Sequence, residues 1–304
     1  MNHNLNSDGN PMAYMGDRTP NSFVFYETDL YEISNIIENF KNKNTTLNNI
    51  PISVIKKISP VITPLLTELF NESIFVGKFP DKLKTGRVIP LHKSGPTTSL
   101  MNYRPITTLS VFSKIFEKLV HNRMTSFISR YNIIKPNQFG FQRNKSTSDA
   151  ILEFLENVYE SFEDNNFYFS IFLDFSKAFD TISHDILMNK LEYMGFRGPL
   201  HSWLTSFFSN RRQYVDVGSS SSYSLPITIG VPQGSTLGPL LFILYINDME
   251  NSLSNMSIIH FADDSTLHTR LRRNSNITTL VNYELYSINN WLQANKLFLN
   301  IEKN

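Results

Sequence analysis

The sequence predicts a mixed α+β protein, and three observations carry that expectation. Apolar residues recur at helical spacing in one set of segments, as in Ile33, Ile36, Ile37 and Phe40. Short runs rich in Ile, Phe and Val read as strands, among them "GRVIPLH" (86–92) and "FYFSIFLDF" (167–175). A 304-residue chain with 41% hydrophobic content and 24 Phe can also bury a core large enough for one large or two ordinary domains.

Taken in order, residues 1–21 are polar, contain Gly and Pro, and are expected to be disordered. Residues 22–72 form an N-terminal helical extension, in which Ile58, Val61, Ile62, Leu65, Leu66, Leu69 and Phe70 give a second helical stripe expected to pack in the core. After the strand at 86–92, "SVFSKIFEKLVHNRMTSFIS" (110–129) is an amphipathic helix opened by Ser110. "AILEFLENVYESF" (150–162) continues as another helix. The almost wholly apolar 167–175 suits a central strand buried on both faces, with Asp174 as its one charge. "GVPQGSTLGPLLFILYINDM" (230–249) is a Gly-rich turn entering an apolar helix, where backbone can approach a ligand closely. "SIIHFADDSTLHTRL" (257–271) is a hairpin of two strands with Asp263 and Asp264 at its tip.

Composition excludes several classes. Without cysteine there are no disulfides or thiolate zinc sites, and the seven His lack the paired spacing of zinc motifs. Any metal site is therefore expected to be built from oxygen. There is no apolar run near membrane-spanning length and no signal-peptide order at the N-terminus, so an intracellular protein, nuclear or cytoplasmic and without membrane attachment, is expected. The net charge of +1 hides an uneven distribution. Residues 81–145 carry twelve Lys or Arg against Asp81 and Glu117, while residues 146–192 carry ten Asp or Glu against Lys177 and Lys190. Such runs can be solvated faces. They can equally be a phosphate-binding lobe beside a cation-binding one.

The Asp263–Asp264 pair poses the chemical question. Asp is a good turn residue, and an exposed acidic tip needs no chemistry. Two adjacent carboxylates become a site when a third arrives from elsewhere and a hard divalent cation screens their repulsion. Asp174 is the candidate, because a charge ending a buried strand costs several kcal/mol unless it is paired or metal-bound. A helix-capping role for it remains open at this level.

Seven collinear blocks then fix a resemblance: "VIPLHKSG", "NYRPITTLSVFSKIFEKLVHNRM", "NQFGFQRNKSTSDAI", "FLDFSKAFDTISHDIL", "GVPQGSTLGPLLFILYINDM", "HFADDSTL" and "WLQANKLFLNIEKN". Across about residues 22 to 304 the chain resembles reverse transcriptases of non-LTR retrotransposons, the LINE-like class that includes jockey elements. The resemblance implies a right-hand polymerase with an antiparallel palm sheet backed by helices. Its reverse transcriptase domain would occupy 73–304, with fingers at about 73–160 and palm at about 161–304. It implies an RNA template, a DNA primer and dNTP as partners, with two Mg²⁺ ions, replaceable by Mn²⁺, as cofactors.

Roles follow residue by residue. Asp174 and Asp263 would ligate the ions, with Asp264 adjoining and the Phe175 carbonyl as a further ligand. Lys93 and Arg104 resemble finger residues that hold the triphosphate, Gln233 and Gly234 would lie beside the nascent base pair, and Lys303 matches a Lys that protonates pyrophosphate. Phe179, five positions after Asp174, matches an aromatic that closes the space of a ribose 2′-hydroxyl. The nearest alternative, an RNA-dependent RNA polymerase, more often has an acidic residue there and Gly before the two Asp, so Phe179 and Ala262 favour deoxynucleotides. The resemblance also leads one to expect an upstream endonuclease and, after Lys303, a thumb. Their absence from the sequence reads as a thumbless fragment of an element, the alternative being an inactive remnant that at most binds nucleic acid.

Overall fold

The computed structural model describes residues 9–41, 47, 50–273 and 276–300. In chain order the helices and strands are α1 (Leu30–Asn39), α2 (Ile52–Lys57), α3 (Ser59–Val76), β1 (Thr85–His92), β2 (Tyr103–Thr108), α4 (Val111–Arg130), α5 (Thr147–Glu163) and β3 (Phe167–Leu173). There follow α6 (His184–Tyr193), α7 (Pro199–Phe208), β4 (Arg212–Val217), β5 (Ser220–Ser221), β6 (Leu225–Pro226), α8 (Gly238–Tyr245), β7 (Ser257–Phe261), β8 (Asp264–Leu271) and α9 (Ile277–Ala294). The protein is thus α+β. The chain divides into two compact units, one of residues 1–18, 132–193 and 239–304 and the other of residues 19–131 and 194–238.

The first unit is built on an antiparallel sheet of order β3-β8-β7. Here β8 is central and β3 is an edge strand, a correction to the expectation for 167–175. Phe167 and Phe172 are exposed, and on that strand apolar side chains meet Phe154 of α5 rather than a second covering layer. The helix α5 starts three residues earlier than expected because Ser146 and Asp149 form a capping box. Residues 9–18 are also ordered, against expectation. Pro11–Tyr14 forms a 3₁₀ turn, Tyr14 is buried, and its carbonyl accepts a hydrogen bond from Asn251 Nδ2 at 2.8 Å. A buried aromatic ring, the bond from Asn251 and the Arg18–Glu192 ion pair at 3.1 Å hold the segment where composition alone suggested a tail. The core of this unit contains a wholly buried ion pair, Lys190 Nζ to Asp248 Oδ1 at 2.6 Å. That ammonium also donates to the Tyr245 carbonyl and lies 5.1 Å from the ring centres of Tyr245 and Trp291.

The second unit holds the β2-β1-β4-β5 sheet, with β6 also paired to β4; β1 runs antiparallel to β2 and parallel to β4. Its core is aromatic. Phe70 stacks on Phe116 at 4.1 Å, and Trp203 meets Phe79 and Phe116 edge-on at 5.1 and 5.0 Å, the edge-on geometry being the one that suits the ring quadrupoles. Helix α4 begins after Ser110, whose hydroxyl accepts from Phe112 N as the sequence implied. The stripe on α3 is only half core: Leu66 and Phe70 are buried, while Ile58, Val61, Leu65 and Leu69 are exposed. Helical spacing identifies a face but not the neighbour that covers it.

The charge asymmetry is also partly absorbed by the fold. Lys84 is buried against Asp81 at 2.7 Å, and Arg123 is buried against Glu32 at 2.7 Å with its guanidinium 4.0 Å from the Tyr26 ring centre. These two cations of the basic stretch stabilise the unit itself. Among the described residues no helix is long and apolar enough to cross a membrane.

Candidate active site

The acidic hairpin is a tight one. Phe261 pairs with Asp264, leaving Ala262 and Asp263 as a two-residue loop in which Ala262 adopts φ 61°. A positive φ at the first loop position lets the turn follow the strand twist, but glycine usually supplies it. An alanine there costs about 1–2 kcal/mol. Alternation places His260 and Ser265 on the buried side of the ladder, where His260 Nδ1 and Ser265 Oγ lie 2.7 Å apart. Phe261 and Asp264 take the other side. Asp264 is exposed and Asp263 half-buried.

The register of the sheet brings Asp174 to the same end. Leu173 of β3 pairs with Ser265 of β8, so Asp174, the next residue, and Asp264, the preceding one, stand together at the strand ends. Asp174 is half-buried and tied to the segment after α9. Its carbonyl accepts from Asn300 N at 2.8 Å, and its Oδ2 accepts from Asn300 Nδ2 at 3.2 Å. Ser176 N in turn donates to the Phe298 carbonyl, making Phe175 and Leu299 the non-hydrogen-bonded pair of a short antiparallel bridge. That pattern directs the Phe175 carbonyl away from the 298–300 segment. Phe179 sits in the 3₁₀ turn Ala178–Asp180, half-buried, with its ring 4.7 Å from Phe242 and 6.1 Å from Phe141.

The second unit carries the other expected residues. Lys93 and Arg104 are both exposed on the β1–β2 hairpin. Leu91 pairs with Arg104 and Lys93 N donates to Asn102 O at 2.8 Å, so Lys93 and Arg104 are diagonal neighbours on one face. Gln233 O accepts from Thr107 N at 2.7 Å, fastening its loop to β2. Gly234 has φ 132°, and a Cβ there would lie 2.2 Å from the Thr107 carbonyl, so this close approach admits no side chain. The same loop is held from beneath by Glu117 of α4, whose Oε2 accepts from Thr236 N at 2.7 Å and Leu237 N at 3.3 Å. Burial raises the Glu117 carboxyl above its ordinary range, opposed by the Arg211 charge and these hydrogen bonds. Lys303 lies outside the described residues.

Three residues that hold the segments carrying expected residues escaped sequence reasoning: in the second unit Glu117, which holds the loop after Gly234, and in the first unit Asn300, which holds Asp174, and Gln138, which accepts from Ala262 N at 3.1 Å. An acid on the buried stripe of α4 was a visible signal for Glu117. Nothing local marked the other two.

Burial also sets an acid limit on stability. His260 and His121 of α4 are both pushed down to about 4, chiefly by burial, with Lys118 adding to the effect at His121. Both are neutral when folded, while an unfolded His titrates near 6.5. Their contribution is complete above that value and is lost as the pH falls through 4, a depression of this size being worth roughly 3 kcal/mol per residue. Urea midpoints measured from pH 7.5 to 4.5 should fall more steeply for wild type than for a His121→Gln/His260→Gln variant; equal slopes would contradict this.

The donor chemistry at the strand ends is oxygen throughout, which fits a hard cation such as Mg²⁺ and disfavours softer metals. Among the described residues, however, no three acidic, His or Cys side chains converge closely enough to enclose an ion by themselves. An ion here would take part of its shell from backbone, water or substrate oxygens, as Mg²⁺ commonly does.

The protein is α+β, with Asp174, Asp263 and Asp264 at one end of its antiparallel sheet. Residues 91–304 match the reverse transcriptase (RNA-dependent DNA polymerase) family, and the chain belongs to it. Similar proteins include the probable RNA-directed DNA polymerase from transposon BS of Drosophila melanogaster, 31% identical over 71% of this chain and 24% of the relative. The corresponding proteins of the X-element and of mobile element jockey, both from Drosophila melanogaster, are 31% and 30% identical over 86% and 78% of this chain and 28% and 27% of the relatives. The likeness is to the LINE-like, non-LTR class. The chain spans about a quarter of the length of these relatives.

Proposed function

We propose that this chain is the RNA-directed DNA polymerase domain of a non-LTR retrotransposon, adding dNTP to a primer 3′-hydroxyl on an RNA template. The observation that carries the reading is the β3–β8 register, which sets Asp174 beside the Asp263–Asp264 turn. In this reading the three-stranded sheet is the palm sheet, within a palm of about 161–304. The β1–β2 hairpin belongs to fingers of about 73–160, and 22–72 is a helical extension.

Asp174 and Asp263 would hold two Mg²⁺ ions, with Asp264 beside them and the Phe175 carbonyl as a further ligand. When bound, the ions supply a more acidic primer hydroxyl and charge neutralisation for the departing pyrophosphate. The chain's own groups do the rest. Lys93 and Arg104, exposed on one face of their hairpin, would bind triphosphate oxygens, a task for which the planar Arg fork is suited. Gln233 and Gly234 would support the nascent base pair from a loop pinned at Thr107. Lys303 would give a proton to pyrophosphate.

Primer extension on poly(rA)·oligo(dT) with dTTP and Mg²⁺ tests the proposal. Extension that needs the metal and the RNA strand supports it, and none at any divalent metal concentration overturns it.

Sugar choice falls to Phe179, whose ring would crowd a 2′-hydroxyl and offer it no hydrogen bond. Phe179→Ala should raise the NTP-to-dNTP ratio of kcat/KM by roughly tenfold or more, the lower range for steric discrimination in a pocket. An unchanged ratio would leave Phe179 as a packing residue against Phe242.

A further inference from the structure

Residues 137–140 dock on the acidic hairpin as a short additional strand. His260 N donates to the Asn137 carbonyl at 2.9 Å, Phe139 N donates to the His260 carbonyl at 2.8 Å, and Gln138 and His260 form a parallel bridge. Asn137 Nδ2 adds a bond to the Ile258 carbonyl at 2.9 Å. Lys145 fastens the segment from behind, donating to the Gln138 carbonyl at 2.8 Å with its ammonium 4.6 Å from the Phe139 ring centre.

At the centre is Gln138, 2% exposed. Its Oε1 accepts two backbone N–H groups, Gly140 N at 2.8 Å and Ala262 N at 3.1 Å. Gly140 completes the fit: a Cβ there would stand 2.1 Å from Ala262 N and 2.7 Å from Ala262 Cα. The turn residue that carries the left-handed φ is therefore held by a buried side-chain oxygen and packed against bare backbone.

The turn needs such support for two reasons. Alanine disfavours the left-handed region, and the two adjacent Asp charges repel each other. A two-residue loop without a fixed Ala262 peptide would relax, and the Asp263 carboxylate would move with it. An amide is suited to the support. Its oxygen accepts both N–H groups without adding a further negative charge beside Asp174, Asp263 and Asp264.

We infer that Gln138 is a positioning residue for Asp263: its buried carbonyl oxygen locks the Ala262 peptide, against Gly140, and thereby sets the carboxylate for the divalent cation. The metal part rests on the function proposed above; the locking of the turn stands on geometry alone.

Two readouts on the whole chain separate them: hydrogen exchange at the Ala262 amide without metal, and Mn²⁺ binding followed by electron paramagnetic resonance. Gln138→Met keeps the side chain's length and removes the acceptor. It should speed Ala262 exchange at least tenfold and weaken Mn²⁺ binding at least tenfold, with Ile258 and Leu267 exchanging as before. Gln138→Glu restores an acceptor and should restore slow exchange. Should Gln138→Met fail to fold, Gln138→Asn, too short to reach Ala262, carries the same expectations. Unchanged Ala262 exchange in the acceptor-less variant overturns the inference, as does faster exchange with undiminished Mn²⁺ affinity. An Asp263→Asn control that binds Mn²⁺ like wild type would instead sink the metal reading, and the exchange result then decides the role of Gln138 by itself.

Discussion

Asp174→Asn and Asp263→Asn should each lower Mg²⁺-dependent primer extension by about a thousandfold, with melting temperature essentially unchanged. Asn keeps the shape and an acceptor oxygen but removes the charge that, in the proposed site, would balance the cation. Loss of several kcal/mol of transition-state stabilisation corresponds to a factor of that size. The fold should tolerate the change. Asp174 meets Asn300 through its backbone carbonyl as well as its side chain, and Asp263 occupies a loop position. Asp264, exposed at the start of β8, should be less sensitive to the same substitution. The comparison to make is single-nucleotide incorporation at saturating dNTP across a Mg²⁺ series. Either variant retaining activity within tenfold of wild type would remove that residue from the metal site.

The largest effect on stability is expected at Lys190 and Asp248. Burial holds the Lys190 ammonium below its usual range and the Asp248 carboxyl above its own, and in each case the partner's charge opposes that shift. Both groups are essentially without solvent exposure. Removing one partner leaves the other's charge in the core, so Lys190→Met or Asp248→Asn should cost about 3–5 kcal/mol, a large fraction of a domain's stability. Replacing both, as Lys190→Met/Asp248→Leu, should recover most of that loss, because an apolar pair of similar volume avoids the desolvation penalty. Urea denaturation read as midpoint and slope measures all three variants. A single substitution costing under about 1 kcal/mol would show that water or a rearranged neighbour reaches the pair.

Local chemistry made much of this protein legible. Ser110 announced the start of α4, the two strand-like runs flanking Asp263–Asp264 announced a hairpin, whose loop proved to be Ala262–Asp263 with Asp264 opening β8, and the collinear blocks from Val88 to Asn304 announced the family. These signals succeed because capping, turn geometry and strand alternation are decided by residues within a few positions of one another. Where covering layers mattered, the reading failed. The apolar 167–173 run became an edge strand with Phe167 and Phe172 exposed, and half of the α3 stripe faces outward. Residues 9–18 are held by the buried Tyr14, the bond from Asn251 and the Arg18–Glu192 ion pair, partners that their polar composition does not reveal.

The sequence alone nominated the residues for the proposed chemistry: three carboxylates for a hard cation, and Lys93 and Arg104 for phosphate. The tertiary structure decided how they are held. The β3–β8 register sets Asp174 beside Asp264, Asn300 ties down Asp174 from 126 positions away, and Gln138 reaches Ala262 across 124 positions. Each of these contacts closes a long loop, so its existence depends on the packing of everything between its ends rather than on the residues that make it.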